Sequence, residues 1–244
     1  MTGHLLVVEH DAECPPALMG GWLSEAGCVL DVRRPYAAPD GLSDLPALAS
    51  YDGLMILGGP MGADDDAKHA WLGPVKELVR EARESGLPTL GICLGHQLIA
   101  SALGGRVERN PRGQQVGLLD VGWTAAAAAD ALLGPLASPR RGVQWNDDLV
   151  TALPDGATLL AETPYGEVQA VRYAPAMWGV QLHPEVDAAV LRPWADEDRG
   201  SHETRGIDTD RLLREIDAAR AELDEAWRPL AEGFAGRVRS GTAR

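Results

Sequence analysis

The sequence predicts an α/β fold: a mostly parallel central sheet with helices on both faces, extra antiparallel strands and a C-terminal helical tail. Three observations carry this. Short apolar runs alternate with segments of helical period through the first half of the chain. From about Gln115 to Val180 shorter alternating runs take over, and from Leu212 apolar residues again recur every three or four positions.

HLLVVEH, CVLDVRRP, DGLMILGG and PTLGICLG are the first four runs. Each stops at turn residues or charge, which suits strands buried on both faces. Between them PPALMGGWLSEAG, WLGPVKELVREARESG and GHQLIASALGG read as helices ending in glycine, the third beginning near Gly95. Leu72, Val75, Leu78, Val79 and Ala82 trace the apolar stripe of the second. Strand and helix in alternation imply right-handed crossovers and hence a parallel sheet. TLLAE, EVQAVRY and MWGVQLH read as later strands, some antiparallel. The run Ala125 to Ala129 reads as a surface loop or short helix, and RPWADEDRGSHETRGIDTD as an exposed, charged loop. In the tail, Leu212, Ile216, Ala219, Leu223, Trp227, Leu230 and Phe234 form a helical stripe, which Pro229 is expected to break or kink. The expected organisation is one domain over residues 1–190, with residues 191–244 a charged loop and helical extension packed on it.

Composition narrows the function. The chain has 22 Lys and Arg against 36 Asp and Glu, a formal charge of −14. That balance argues against nucleic acid and against an anionic membrane surface, and leaves a small molecule or a protein as partner. Cys14, Cys28 and Cys93 are odd in number and lack paired spacing, so neither a disulfide framework nor a metal site is expected. A reducing cytoplasm fits. The start MTGHLLVVEHDAE lacks a basic leader, and no segment approaches the roughly 20 apolar residues of a membrane span.

In an open α/β sheet ligands bind outside the carboxyl ends of the strands, and the unusual residues of this chain fall there. In GICLGHQ a strand reaches Cys93, the chain turns and a helix starts, with glycines on either side where a side chain would collide. This is the context of a nucleophile elbow with cysteine at its centre, and the helix dipole there favours the thiolate. Cys14 and Cys28 read instead as small core hydrophobes. At the end of MWGVQLHPEV, His183 closes a buried strand, and Glu185, two residues on, is placed to orient its ring toward a thiol. His4, His10, His69, His96 and His202 read as surface or core residues. A third strand end runs into Gly58-Gly59-Pro60-Met61-Gly62, whose backbone amides can join that of Leu94 as an oxyanion hole. GGPMG matches no phosphate-binding pattern and three aspartates follow it.

GGPMG, GICLGHQ and QLHPE, in that order and with 183 − 93 = 90 positions between Cys93 and His183, closely resemble the class I (triad-type) glutamine amidotransferases. The resemblance covers about residues 4 to 186 and implies that family's flavodoxin-like sheet. It implies Cys93 as nucleophile, His183 as general acid and base, and Glu185 as the residue orienting it. It also implies the Gly59 and Leu94 amides as oxyanion hole and the Gln97 side chain as a holder of substrate glutamine. No metal or organic cofactor is implied. One departure stands out: many relatives carry histidine then glycine where this chain has Asn146-Asp147, beside the glutamine site. That puts the acyl donor in question, and Asp147 or Asp148 is either a contact for an α-amino group or an exposed loop acid.

Three functions follow from the resemblance. The first is a stand-alone amidotransferase feeding ammonia to a synthetase partner; the tail is then either a cap on its own sheet or a docking surface for that synthetase or for a second copy. The second is a γ-glutamyl hydrolase or peptidase acting on amines or glutathione-type conjugates. The third is a non-catalytic or stress-related member of the wider fold, disfavoured by the retention of His183 and Glu185.

Overall fold

Alternate side chains of the first strand, β1 (Gly3–Val8), enter two different cores, and the rest of the molecule is arranged around that division. The structure, a computed structural model, describes residues 2–38 and 45–241. After β1 come α1 (Ala17–Glu25), β2 (Cys28–Arg33), β3 (Gly53–Ile56), α2 (Leu72–Ser85), β4 (Thr89–Ile92) and α3 (Leu94–Ala102). Then follow β5 (Arg106–Arg109), β6 (Gln115–Asp120), β7 (Arg141–Asn146), β8 (Asp148–Ala152), β9 (Thr158–Glu162), β10 (Val168–Ala174) and β11 (Met177–Val180). The chain closes with α4 (Ala188–Thr204), α5 (Thr209–Ala218) and α6 (Arg220–Gly241).

Seven strands form the central sheet in the order β2-β1-β3-β4-β11-β10-β9. The first five are parallel neighbours, while β10 and β9 add on antiparallel. Leu5 and Val7 point to one face, where Met19, Trp22 and Leu23 of α1 and Trp227, Leu230 and Phe234 of α6 cover them. Leu6 and Val8 point to the other, under Leu72, Val75 and Val79 of α2 and Leu98 and Ile99 of α3. The expected fold class is therefore observed. Two small antiparallel ribbons, β5 with β8 and β6 with β7, lie outside the main sheet.

The structure departs from expectation at the C-terminus. The charged stretch read as a loop is largely helix α4, whose N-cap Asp187 accepts from the amides of Ala189 (2.9 Å) and Val190 (3.0 Å). Charge disguised its amphipathic spacing: Leu191, Ala195 and His202 are buried, while Arg192, Asp196 and Glu203 are exposed. Nor does Pro229 end a helix; α6 runs unbroken from Arg220 to Gly241, losing the amide donor of one residue. The break falls earlier, at Ala219 between α5 and α6, and Leu213 rather than Leu212 is the buried residue there. The alanine run makes a short 3₁₀ turn, Ala127–Ala129, with Ala127 buried.

Because the apolar stripe of α6 is buried in the chain's own core, Phe234→Ala should cost about 3–5 kcal/mol in urea denaturation. A loss below about 1 kcal/mol would mean that this packing contributes little stability.

Candidate active site

The carboxyl ends of β3, β4 and β11 and the β7–β8 turn converge on one cleft of about 560 Å³. Its wall includes Gly59, Cys93, Gln97, Asn146, Asp148 and His183.

Cys93 sits between the end of β4 and the start of α3, which begins at Leu94, one residue earlier than expected. Its amide donates to Val180 O on the neighbouring strand (2.9 Å), and its carbonyl accepts from Gln97 N (3.0 Å) in the first helical turn. The backbone between these two anchors takes φ 49° and ψ −106°, one of two positive-φ positions outside glycine among the described residues. Such a conformation costs about 1–3 kcal/mol and aims the thiol out of the sheet at the head of the helix. The flanking glycines follow from contact: a Cβ on Gly95 would overlap the Ile56 carbonyl, and one on Gly91 would lie 2.6 Å from Gly95. Cys93 itself is 6 % exposed, between a dry core and the cleft.

His183 is held by its own amide, which donates to Val143 O (2.8 Å), and by its ring, whose Nδ1 lies 2.7 Å from Glu185 Oε1. Glu185 is buried in turn, and its carbonyl accepts from Leu18 N of α1 (3.0 Å). Nε2 of His183 has no hydrogen-bond partner among the described residues. Burial opposes a charge on this ring, but Glu185 and Cys93 outweigh it and hold the imidazole well above its ordinary range. Gly58 keeps the thiol and imidazole accessible to each other. A Cβ there would stand 3.2 Å from His183 Cε1 and 3.7 Å from Cys93 Cβ.

Gly59 packs so closely on Leu94 and His10 that a Cβ would come within 3.0 Å of Leu94 Cδ2 and 2.9 Å of His10 Cβ. The Gly59 and Leu94 amides meet no acceptor among the described residues. Gln97 spends its amide nitrogen inside the protein, donating to Asp148 O (2.9 Å) and Gln181 Oε1 (3.2 Å). Gln181, in turn, donates from Nε2 to Cys93 Sγ (3.5 Å). The QLHPE motif alone assigns Gln181 no part; β11 ends at Val180, so Gln181 and His183 stand on the bend just after the strand rather than closing it.

The remaining histidines lie elsewhere. Burial pushes His10 and His96 down to about 3, and the His96 ring bonds the Tyr173 hydroxyl (2.9 Å). His202 is tied to Thr209 Oγ1 (2.9 Å) and Gln114 Oε1 (3.0 Å). Cys28 joins the core as expected, but Cys14 does not: it is half-buried and lines the cleft, where burial and the nearby Asp11 push its thiol far up. Of the three aspartates after GGPMG, Asp64 and Asp66 clasp Lys76 (3.0 and 2.7 Å), and Asp65 lines the cleft while pairing with Lys68 (2.8 Å).

The family model for glutamine amidotransferase class-I matches residues 22–193. The chain belongs to the class I glutamine amidotransferase family. The glutamine-hydrolysing GMP synthase subunit of Halobacterium salinarum is 40 % identical over 142 residues, 58 % of this chain and 70 % of that one. Gamma-glutamyl peptidase 5 of Arabidopsis thaliana is 32 % identical over 148 residues, 59 % of this chain and 57 % of that one. Among solved structures, a glutamine amidotransferase from Thermotoga maritima superposes with a TM-score of 0.83 at 26 % identity, covering 96 % of this chain and 99 % of that one. At 96 % coverage the likeness extends past residue 193, where the family match ends, into the C-terminal helices.

Against this family background the Asn146-Asp147 departure has a definite geometry. Asp147 is drawn to Arg109 (3.0 Å) and its carbonyl accepts from Asn110 N (2.8 Å). Asp148 lines the cleft and makes no ion pair among the described residues; burial raises its carboxyl above the ordinary range. Among the residues that sequence reasoning missed, three come from α4: Trp194, Glu197 and Asp198 all line the cleft, and Trp194 stacks edge-on against His183 with ring centroids 5.0 Å apart. Their spacing at i, i+3 and i+4 was the available signal. Among the described residues no cluster of His, Cys, Asp and Glu is placed to hold a metal ion, and no helix is long and apolar enough to cross a membrane.

Proposed function

We propose that this amidotransferase hydrolyses the γ-amide of a glutamyl substrate, glutamine first, through a γ-glutamyl thioester on Cys93. The observation that carries the reading is a strained cysteine at a helix head beside a buried histidine whose far nitrogen lies 2.7 Å from a buried carboxylate. The Cys93 thiolate attacks the γ-carbonyl carbon, and the oxyanion forms between the free amides of Gly59 and Leu94, each contributing about 3–4 kcal/mol in the transition state. His183 protonates the departing nitrogen as the C–N bond breaks. It then takes a proton from the water that opens the thioester, releasing glutamate and restoring the thiolate. Gln181 steadies the sulfur. Gln97, its amide nitrogen already committed, has its carbonyl oxygen left to meet the substrate.

Ammonia released this way passes to an acceptor or to a synthetase partner, as the name of the Halobacterium relative suggests. A self-contained γ-glutamyl hydrolase is the second reading. It is favoured by the burial of the tail's apolar stripe, which is spent on the chain's own core rather than offered for docking.

The test is ammonia and glutamate release by the purified chain from glutamine, with γ-glutamyl amines and glutathione conjugates in parallel. Release from glutamine supports the first reading; cleavage of a conjugate with glutamine ignored moves the chain to the second. Silence on all of them would overturn both.

The proposed role of Glu185 gives a sharper prediction. Glu185→Gln should lower kcat about 100-fold, less than loss of the nucleophile. Without the carboxylate the raised imidazole falls toward its ordinary range, so the alkaline limb of the kcat/KM profile should move to lower pH. An unmoved limb would show that Glu185 does not hold the charge on His183.

A further inference from the structure

The cleft is strongly acidic. Seven carboxylates line it against a single guanidinium, Arg109. Asp65 and Asp147 are neutralised by Lys68 and by Arg109 itself. Asp11, Glu13, Asp148, Glu197 and Asp198 form no ion pair among the described residues, and Asp198 accepts only from the neutral donors Gln114 Nε2 (2.8 Å) and Trp145 Nε1 (2.8 Å). Uncompensated carboxylates gathered in a concave wall concentrate cations and repel anions.

An independent feature also points to a donor-rich ligand. Asn146 lines this cleft at 5 % exposure, and among the described residues its Oδ1 has no hydrogen-bond partner although its Nδ2 reaches Gln115 Oε1 (3.2 Å). A buried acceptor left unmade costs about 1–3 kcal/mol, which an incoming N–H relieves.

The acids have a side. His183 delivers the proton to the leaving nitrogen, so the leaving group lies against the His183 wall, which is where α4 stands. Trp194 packs on the His183 ring and lines the cleft, with its indole N–H occupied by Glu13 O (2.9 Å). Glu197 and Asp198 follow on the same face of the helix. An aromatic ring with carboxylates one turn away is a receptor for an alkylammonium group.

We propose that the amide cleaved here carries a cationic leaving amine: the substrate is a γ-glutamyl conjugate of a diamine or polyamine. This rests on the γ-glutamyl thioester chemistry above. The balance is γ-glutamyl–NH–R plus water giving glutamate and R–NH₃⁺; the C–S bond forms first, the C–N bond breaks as the oxyanion collapses with His183 protonating the nitrogen, and water then breaks the C–S bond. Conjugates whose leaving group ends in a carboxylate, glutathione-type conjugates included, are disfavoured by the same charges.

The test is a matched series of γ-glutamyl amides that differ only at the far end of the leaving group: 1,4-diaminobutane (ammonium), pentylamine (methyl) and 5-aminopentanoate (carboxylate), with glutamine alongside. At low ionic strength kcat/KM should be at least about tenfold higher for the ammonium end than for the methyl end and about a hundredfold higher than for the carboxylate end, the gap narrowing in high salt. In the double variant Glu13→Gln/Glu197→Gln the ammonium-to-methyl ratio should fall at least threefold. Both side chains lack side-chain partners among the described residues, so folding is not at stake. Equal values at all three ends, or a preference for the carboxylate, would overturn the cationic leaving group while leaving the thioester reading intact. Silence on the whole series, glutamine included, would overturn the thioester reading itself.

Discussion

Cys93→Ala is expected to lower turnover of every γ-glutamyl amide by more than about 10³-fold while the urea denaturation midpoint stays close to that of the parent. The size of the loss follows from the absence of a substitute. Burial and Asp11 oppose ionisation of Cys14, the other thiol lining the cleft, which makes it a poor substitute nucleophile. The small effect on stability follows from what remains: the anchors of residue 93 are its backbone amide and carbonyl, which alanine keeps. Activity above about a thousandth of the parent would mean that the chemistry does not pass through this sulfur.

The second large effect is on the fold. Gly95→Ala should destabilise the protein by more than about 3 kcal/mol, because the added methyl group has to displace the Ile56 carbonyl, main chain of the central sheet. Gly21→Ala is the contrasting case. Gly21 lies within α1 with no atom near its missing Cβ, so alanine there should be neutral or stabilise by up to about 1 kcal/mol. Urea denaturation of the two variants separates a glycine required by contact from one that is tolerated. If Gly95→Ala costs less than about 1 kcal/mol, the elbow is not built on that close approach.

The parts legible in the sequence were those where one local pattern decides the outcome. Unbroken apolar runs such as LLVV can only be buried on both faces, and the structure splits them between two cores. The elbow could be read from two glycines around a cysteine at a strand end, since the collisions that require them are local. The helix α4 was illegible because Pro193 and a dense charge run masked three buried positions, Leu191, Ala195 and His202. Charged residues on its outer face made no difference to its ability to pack. Pro229 misled for the opposite reason: its neighbours Trp227, Leu230 and Phe234 bury enough apolar surface to carry a helix through one lost donor. The cleft's acidity was hidden too, because Asp11, Asp148 and Asp198 are far apart in the chain and meet only in the fold. Total charge, −14, gave the sign without the place.

The most direct test of the thioester mechanism is to quench the protein with acid during turnover of a γ-glutamyl amide and map any acyl group by mass spectrometry. The result expected is a single γ-glutamyl group on the peptide containing Cys93, absent from Cys93→Ala. Steady glutamate release with the acyl group on another residue, or unchanged release by Cys93→Ala, would contradict it.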